Sequence, residues 1–361
     1  MFVRIAYFLD WPEVDNSGVY KKVKDQVRNW GILKHEVQVF VVTAEDVAEA
    51  WKRDFPNANV SSYTNKLGRF IAKFSALRKA KKWNPDSLYI RDIFPFPGFA
   101  RLIKDVVSII EVNSDWLGEL AQASKIKFYL FRILRQGHYK NASGMVYVSH
   151  ELFMKNTDLH NSLPSIVIGN GIDLERIPIA RIKGVPEIRF LFLGTAGHAW
   201  HGIDQILEYA SDSPHYIFEM VGIDKSDYSS ASQNVNFYGK ILDSDYWKIA
   251  ADCTVAIGTL GLHRKNMLET SPLKTREYLA LGLPVIMRYV DTDFMEGAPF
   301  ILQLPAGESP LRSYSDRIDD FIQTWKNDIV AREDIDLLSS KIKEEIRINF
   351  MMNISIERGS C

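Results

Sequence analysis

Glu269-Thr270-Ser271-Pro272-Leu273-Lys274-Thr275-Arg276-Glu277, continued by Tyr278-Leu279-Ala280-Leu281-Gly282-Leu283-Pro284-Val285-Ile286, is the stretch on which the reading of this chain turns. It places two carboxylates eight positions apart around the start of a helix. Ser271 reads as the N-cap and Pro272 as the first helical residue. Gly282 reads as the stop, and 284–287 as a buried strand. A helix entered at Ser271 turns free backbone N–H groups, from about Leu273 and Lys274, outward at its positive end. Such an end seats a phosphate, and Lys274 adds a full charge to it. Glu277 lies about one and a half turns in, where a carboxylate accepts hydrogen bonds from sugar hydroxyls. Glu269 is expected in the loop before the helix, on the side that a ligand would occupy. Two hydroxyl acceptors around one diphosphate seat is the chemistry of holding a nucleotide sugar.

Around this strip the chain repeats strand, loop and helix. Short apolar runs rich in β-branched and aromatic residues fall at 3–9, 37–42, 87–90, 107–112, 145–148 and 165–168. A second series falls at 188–193, 216–221, 235–238, 254–257 and 284–287. Helix-period stretches such as 18–30 and 202–209 lie between them. This alternation predicts an α/β protein whose parallel sheets are covered on both faces. Two series joined at Gly169-Asn170-Gly171 predict two doubly wound, Rossmann-like domains, 1–168 and 169–361. Ligands are expected at the carboxyl ends of the strands, in a cleft between the domains.

Three segments then carry a resemblance. The strip resembles the Glu-x7-Glu region of retaining glycosyltransferases with the two-Rossmann-domain (GT-B) fold, of glycosyltransferase family 4 type, and its wording is similar to bacterial polysaccharide and lipid-glycan members. Ile168-Gly169-Asn170-Gly171-Ile172-Asp173 resembles that family's hinge motif. Phe192-Leu193-Gly194 with Trp200-His201-Gly202-Ile203-Asp204 resembles the first strand, loop and helix of its donor domain. The resemblance implies a retaining, metal-independent hexosyltransferase that uses a nucleoside-diphosphate sugar and no cofactor. It implies an acceptor-binding first domain, a donor-binding second domain, and a last helix that packs back on the first domain. Glu269 and Lys274 are the expected catalytic pair. Ser271, Pro272, Leu273 and Glu277 are expected on the donor, with Gly194 and His201 from the first donor loop. Lys240, in the loop Tyr238-Gly239-Lys240, is expected near the base. Relatives commonly supply an Arg in the first donor loop and a Lys just before its glycine; this chain has neither, and His201 stands in the Lys-like position. Gly18 opens a helix at the place of the family's donor-facing glycine loop, and a glycine at a helix start with no ligand is the plain alternative.

Glu111 and Asn113 end the run 107–112 and should emerge at a strand's carboxyl end. Glu111 reads either as a buried pairing carboxylate or as part of the acceptor side. His198 and His201 have a His-x-x-His spacing without a third ligand, so no metal site is expected. No Gly-x-Ser-x-Gly elbow, phosphate-loop motif or Cys-x-x-Cys occurs. The two cysteines, Cys253 and Cys361, do not suggest a structural disulfide, which suits a reducing cytoplasm. No apolar run approaches the roughly 20 residues of a membrane-spanning helix.

Net charge is −1 but unevenly shared. Residues 1–168 hold 24 Lys and Arg against 17 Asp and Glu, and residues 169–361 hold 20 against 28. Two basic, aromatic-interleaved stretches contain no acid. One runs from Lys66 to Lys82, with Phe70, Phe74 and Leu77 on one helical face. The other runs from Lys125 to Lys140, with Ile126, Tyr129, Leu130, Ile133 and Leu134 as an apolar stripe. Two readings stay open: amphipathic helices packed on the core, or peripheral docking on an anionic membrane at the inner face. A glycan or lipid-linked acceptor is expected, and, with no recognisable nucleic-acid module, no nucleic-acid partner. A non-catalytic nucleotide-sugar-binding subunit and a nucleotide-sugar epimerase or hydrolase on the same fold are the alternative functions.

Overall fold

The computed structural model describes residues 2–13, 18–157, 163–184, 186–228 and 230–358. The chain divides into two compact units, Met1–Gly169 with Ser340–Cys361, and Asn170–Ser339.

The first unit is wound from β1 (Arg4–Asp10), α1 (Gly18–Ile32), β2 (Glu36–Ala44), α2 (Ala48–Asp54), β3 (Asn59–Tyr63), α3 (Lys66–Lys82), β4 (Ser87–Arg91), α4 (Phe99–Ile103), β5 (Ser108–Val112), α5 (Trp116–Ala123), α6 (Lys125–Lys140), β6 (Gly144–Tyr147), α7 (His150–Lys155) and β7 (Ser165–Val167). Its seven strands run in the order β3-β2-β1-β4-β5-β6-β7, with every neighbouring pair parallel. Central strands such as β1 and β5 are mostly apolar and buried over most or all of their length because helices cover both faces of a parallel sheet.

The second unit contains β8 (Arg189–Leu193), α8 (Ile203–Asp212), β9 (Ile217–Val221), β10 (Val235–Phe237), α9 (Asp243–Ala251), β11 (Val255–Ile257), β12 (Glu269–Thr270), α10 (Leu273–Ala280), β13 (Val285–Met287), β14 (Val290–Asp291), β15 (Ile301–Gln303) and α11 (Ser315–Trp325). Six strands form a parallel sheet in the order β10-β9-β8-β11-β13-β15, and β12 pairs with β14 in a separate two-stranded ladder. Both units are thus doubly wound α/β domains of the GT-B type.

The last helix, α12 (Ser340–Glu357), belongs to the first unit. It lies against α1, and buried polar groups hold it there. Trp30 donates its indole N–H to Glu344 at 2.8 Å, beside Tyr7 and Tyr89, whose rings lie 5.4 and 5.3 Å from that of Trp30. Arg347 pairs with Glu344 and reaches Glu111 on β5 at 3.3 Å.

The two basic helices bury different faces. On α3, Leu77 is buried, Phe70 is exposed, and Arg69 and Lys73 pair with Asp10 at 3.0 and 2.6 Å. On α6 the buried face is Phe131, Arg135, His138 and Tyr139. The stripe read from the sequence points outward: Ile126 is 82 % exposed, Tyr129 60 %, Leu130 47 % and Ile133 72 %. Core packing of that stripe is therefore corrected. No helix among the described residues is long and apolar enough to cross a membrane.

Replacing Arg347 by Ala leaves Glu111 and Glu344 in one buried cluster without the guanidinium that faces both. The expected loss is about 3–5 kcal/mol, the range for a broken buried pair, read as a lower urea midpoint of the first unit. An unshifted midpoint would show that this cluster does not hold α12.

Candidate functional site

The site in the second unit is built around the start of α10. Pro272 occupies the N-cap position with extended backbone, and no side chain caps the helix. Ser271 does not serve as the cap expected from the sequence. Its hydroxyl instead accepts the Asn170 backbone N–H at 2.7 Å, and its carbonyl accepts the Asn170 side-chain amide. The Asn-Gly-Ile-Asp motif is thus stitched directly to the helix entrance. Arg276 completes the joint: fully buried, it donates to the Asn170 carbonyl at 3.1 Å, grips Asp291 with both terminal nitrogens, and reaches Asp293 at 2.5 Å. With Ser271 used this way, the first N–H groups of the helix have no intrahelical acceptor, and their positive end is left for a ligand.

Lys274 stands in this first turn. Its ammonium is buried, has no hydrogen-bond partner among the described residues, and lies 4.3 Å from the centroid of the Phe192 ring at the end of β8. Burial alone pulls its pKa down to about 7. A buried lysine without a carboxylate is uncompensated, and an arriving anion relieves it.

Gly194 follows Phe192 by two residues. A Cβ there would come within 2.4 Å of the Phe192 ring and 3.1 Å of the His201 Nδ1, so only glycine lets the strand end run this close. The Tyr278 hydroxyl accepts the Leu193 N–H at 2.6 Å and ties this strand end to α10. His201 lies in a 3₁₀ turn, Ala199–His201, with Nδ1 3.1 Å from the Thr195 carbonyl. Burial and the nearby Lys274, His198 and Lys265 charges hold its pKa down at about 3. The imidazole is therefore neutral at physiological pH and offers a hydrogen bond rather than a charge.

Glu269 is not in a loop. It is buried in β12, paired with Val290, and its carboxylate accepts the Thr292 hydroxyl at 2.9 Å. Glu277, half-buried one turn beyond Lys274, accepts the Tyr246 hydroxyl at 3.1 Å. Leu273 and Pro272 are half-buried at the helix entrance. Lys240 is exposed after β10, next to Gly239, whose carbonyl accepts the Gly222 N–H at 2.7 Å. Among the described residues, no group of three His, Cys, Asp or Glu side chains that could hold a metal ion occurs.

The acceptor-side candidates lie in the first unit. Gly18, expected on the donor, is also in this unit, as the exposed first residue of α1; residues 14–17 before it lie outside the described residues. Glu111 is fully buried and its charge is taken up internally. Lys22 donates to it at 2.9 Å, Arg347 lies at 3.3 Å and Arg91 at 3.9 Å. Asn113 accepts from Lys22 at 3.0 Å and donates to Glu111 at 3.2 Å. Of the two readings of Glu111, the geometry matches the buried pairing carboxylate.

Sequence reasoning missed Arg276, Tyr278 and Tyr246. The first two lie inside the decisive strip, where both are fully buried. Their partners, Asp291 and the Leu193 N–H, are too far along the chain for any pattern to pair.

Comparisons with known proteins bear on the fold. A family model described as Glycosyltransferase Family 4 matches residues 17–176. No curated protein matches the chain. Among solved structures, HepE of Anabaena in complex with UDP and glucose superposes with a TM-score of 0.65 at 12% identity, covering 97% of this chain and 100% of that one. An alpha-glucosyltransferase in complex with UDP and a 13-mer DNA containing a HMU base gives 0.63 at 12% identity, covering 97% and 99%. The lipopolysaccharide outer core galactosyltransferase WaaB gives 0.60 at 13% identity, covering 97% and 99%. At such identities the likeness is one of fold. It overturns one expectation: a nucleic-acid partner is not excluded by the want of a separate nucleic-acid module, because solved complexes on this same fold hold DNA. The chain is a GT-B fold protein similar over 17–176 to glycosyltransferase family 4.

Proposed function

We propose that this protein is a glycosyltransferase that moves a hexose-type sugar, with retention, from a nucleoside-diphosphate sugar to a hydroxyl acceptor in cell-envelope glycan or polysaccharide synthesis. The observation that carries the proposal is the buried Lys274 ammonium, without a hydrogen-bond partner, at the positive end of α10. An anionic group placed there meets a fixed cation and free backbone N–H groups. As the sugar–phosphate bond breaks, charge grows on the leaving diphosphate, so these donors favour the transition state over the ground state. In this reading Glu277 holds the ribose and Glu269 orients the transferred sugar. Protein charges neutralise the leaving group, so turnover needs no divalent ion. Retention follows the Glu-x7-Glu resemblance. The solved relatives that hold UDP or UDP-glucose support a UDP-linked donor. Those that hold DNA place nucleic-acid hydroxyls among the acceptors to be screened beside glycans.

The peripheral inner face of a membrane is the site of action that fits the surface of α6. Its exposed Ile126, Tyr129, Leu130 and Ile133 recur at helical spacing beside Lys125, Lys127 and Arg132. An apolar face edged by cations suits the boundary between acyl chains and anionic headgroups.

Calorimetry with UDP and GDP tests the donor assignment. Glu277→Ala and Lys274→Met are expected to weaken binding at least tenfold; unchanged affinity in both variants sinks it. At pH 8 the free ammonium, with its pKa at about 7, is mostly neutral. A diphosphate favours the charged form, so binding takes up a proton, seen as a dependence of the heat on buffer ionisation enthalpy that Lys274→Met abolishes. Release of labelled sugar to acceptor should persist in EDTA. For membrane contact, sedimentation with phosphatidylglycerol vesicles should carry down the wild type but not Ile126→Ser/Ile133→Ser, and phosphatidylcholine vesicles should carry down neither.

A further inference from the structure

We propose that Lys265, carried on the ring of Trp200, is the second cation of the diphosphate seat and takes the part of the basic residues absent from the first donor loop. This rests on the nucleotide-sugar reading above.

The first loop, which contains the turn Ala199–His201, and the 3₁₀ turn Leu262–Lys265 after β11 are bound into one layer. The Leu260 N–H donates to the His201 carbonyl at 3.3 Å, and the Gly261 N–H to the Trp200 carbonyl at 3.0 Å. Glycine is required on both sides of this seam. Gly202 has φ +71°, and a Cβ on it would lie 2.6 Å from that of Leu260; a Cβ on Gly261 would lie 2.7 Å from the Ala199 carbonyl oxygen.

Arg264 rivets the layer. It donates to the Ala199 carbonyl at 2.8 Å, to both oxygens of Asp204 at 2.9 and 2.7 Å, and to both oxygens of Glu308 at 2.7 and 2.6 Å. Glu308 is also held by His263 at 2.7 Å and by Gln205 at 2.9 Å. Asn266, in the left-handed region at φ +53°, turns the chain after Lys265 and closes on the His263 carbonyl at 2.9 Å.

The outcome is a set direction for Lys265. Its ammonium lies 4.4 Å from the centroid of the Trp200 ring, and Trp200 is itself stacked on His198 at 4.3 Å. A flexible side chain is thereby placed over an aromatic face beside His201, close enough for its charge to act on that imidazole together with the charge of Lys274. Asp204 and Glu308, carboxylates on the elements packed here, are both engaged by Arg264. His201 itself stays neutral. A diphosphate carries more negative charge than one lysine offsets, so a cation from a second element is needed, and Lys265 is the one that this layer aims at the first loop. Trp200 and Arg264 are positioning residues in this scheme, acting through Lys265.

The experiment measures the affinities of UDP and uridine, and of GDP and guanosine, by calorimetry at two salt concentrations for the wild type, Lys265→Ala, Lys265→Arg and Trp200→Leu. Lys265→Ala is expected to lose at least tenfold in diphosphate affinity with nucleoside affinity unchanged, and to show a shallower salt dependence. Lys265→Arg should recover most of the loss, and Trp200→Leu should fall between. Unchanged nucleoside binding reports an intact fold. Equal diphosphate affinity in wild type and Lys265→Ala, or an equal loss of nucleoside and diphosphate, overturns the role of Lys265 and leaves the nucleotide-sugar reading standing. A wild type that binds neither UDP nor GDP overturns both.

Discussion

The buried guanidinium of Arg276 is the joint on which the candidate site depends. It faces Asp291 and Asp293 on one side and the Asn170 carbonyl on another, all within the second unit. A buried ion pair of this kind contributes little net stability, because desolvation offsets much of the attraction. What it does contribute is placement. Asp291 belongs to β14, which pairs with β12 and so sets Glu269. Asn170 holds Ser271, which sets the helix entrance and Lys274. One residue of the Glu-x7-Glu strip therefore positions both Glu269 and the helix entrance.

Two buried charge clusters in this protein have opposite meanings. In the first unit, Glu111 is met by Lys22, Arg347, Arg91 and Asn113, and Glu344 by Arg347 and Trp30. Every charge has a counterpart, and the cluster serves to fasten α12 to α1 and β5. In the second unit, Lys274 has an aromatic ring below it and no anion beside it. A network of paired charges specifies a fold; a buried cation on an aromatic ring is poised for a ligand. His201 fits the same contrast. Its position resembles that of a cation, but its surroundings keep it neutral.

Much of the architecture is legible in the residues. Runs such as 3–9 and 188–193 are apolar at consecutive positions because both sheet faces are covered, and they coincide with β1 and β8 within about two residues. The strands not legible as apolar runs are β3 and β15, at sheet edges, where positions such as Ser61 and Gln303 are partly or fully exposed, and the two-residue β12 and β14, which are too short to show a period. The helix entrance shows a different limit. Ser-Pro before an apolar helix reads as a cap by every local rule, yet a donor from Asn170, 101 residues away, takes the serine oxygen. Local propensity ranks what a side chain does when nothing distant competes for it.

The sequence by itself determined the fold class, the two parallel sheets and the order of the strip that carries Glu269, Lys274 and Glu277, because hydrophobic period and helix punctuation act between near neighbours. Only the tertiary structure decided that Glu111 is a paired core carboxylate, that the α6 stripe faces outward, and that Lys265 rests on Trp200. Each of these is settled by groups tens to hundreds of residues apart that share one small volume. Burial, desolvation and charge pairing depend on that volume and not on position along the chain.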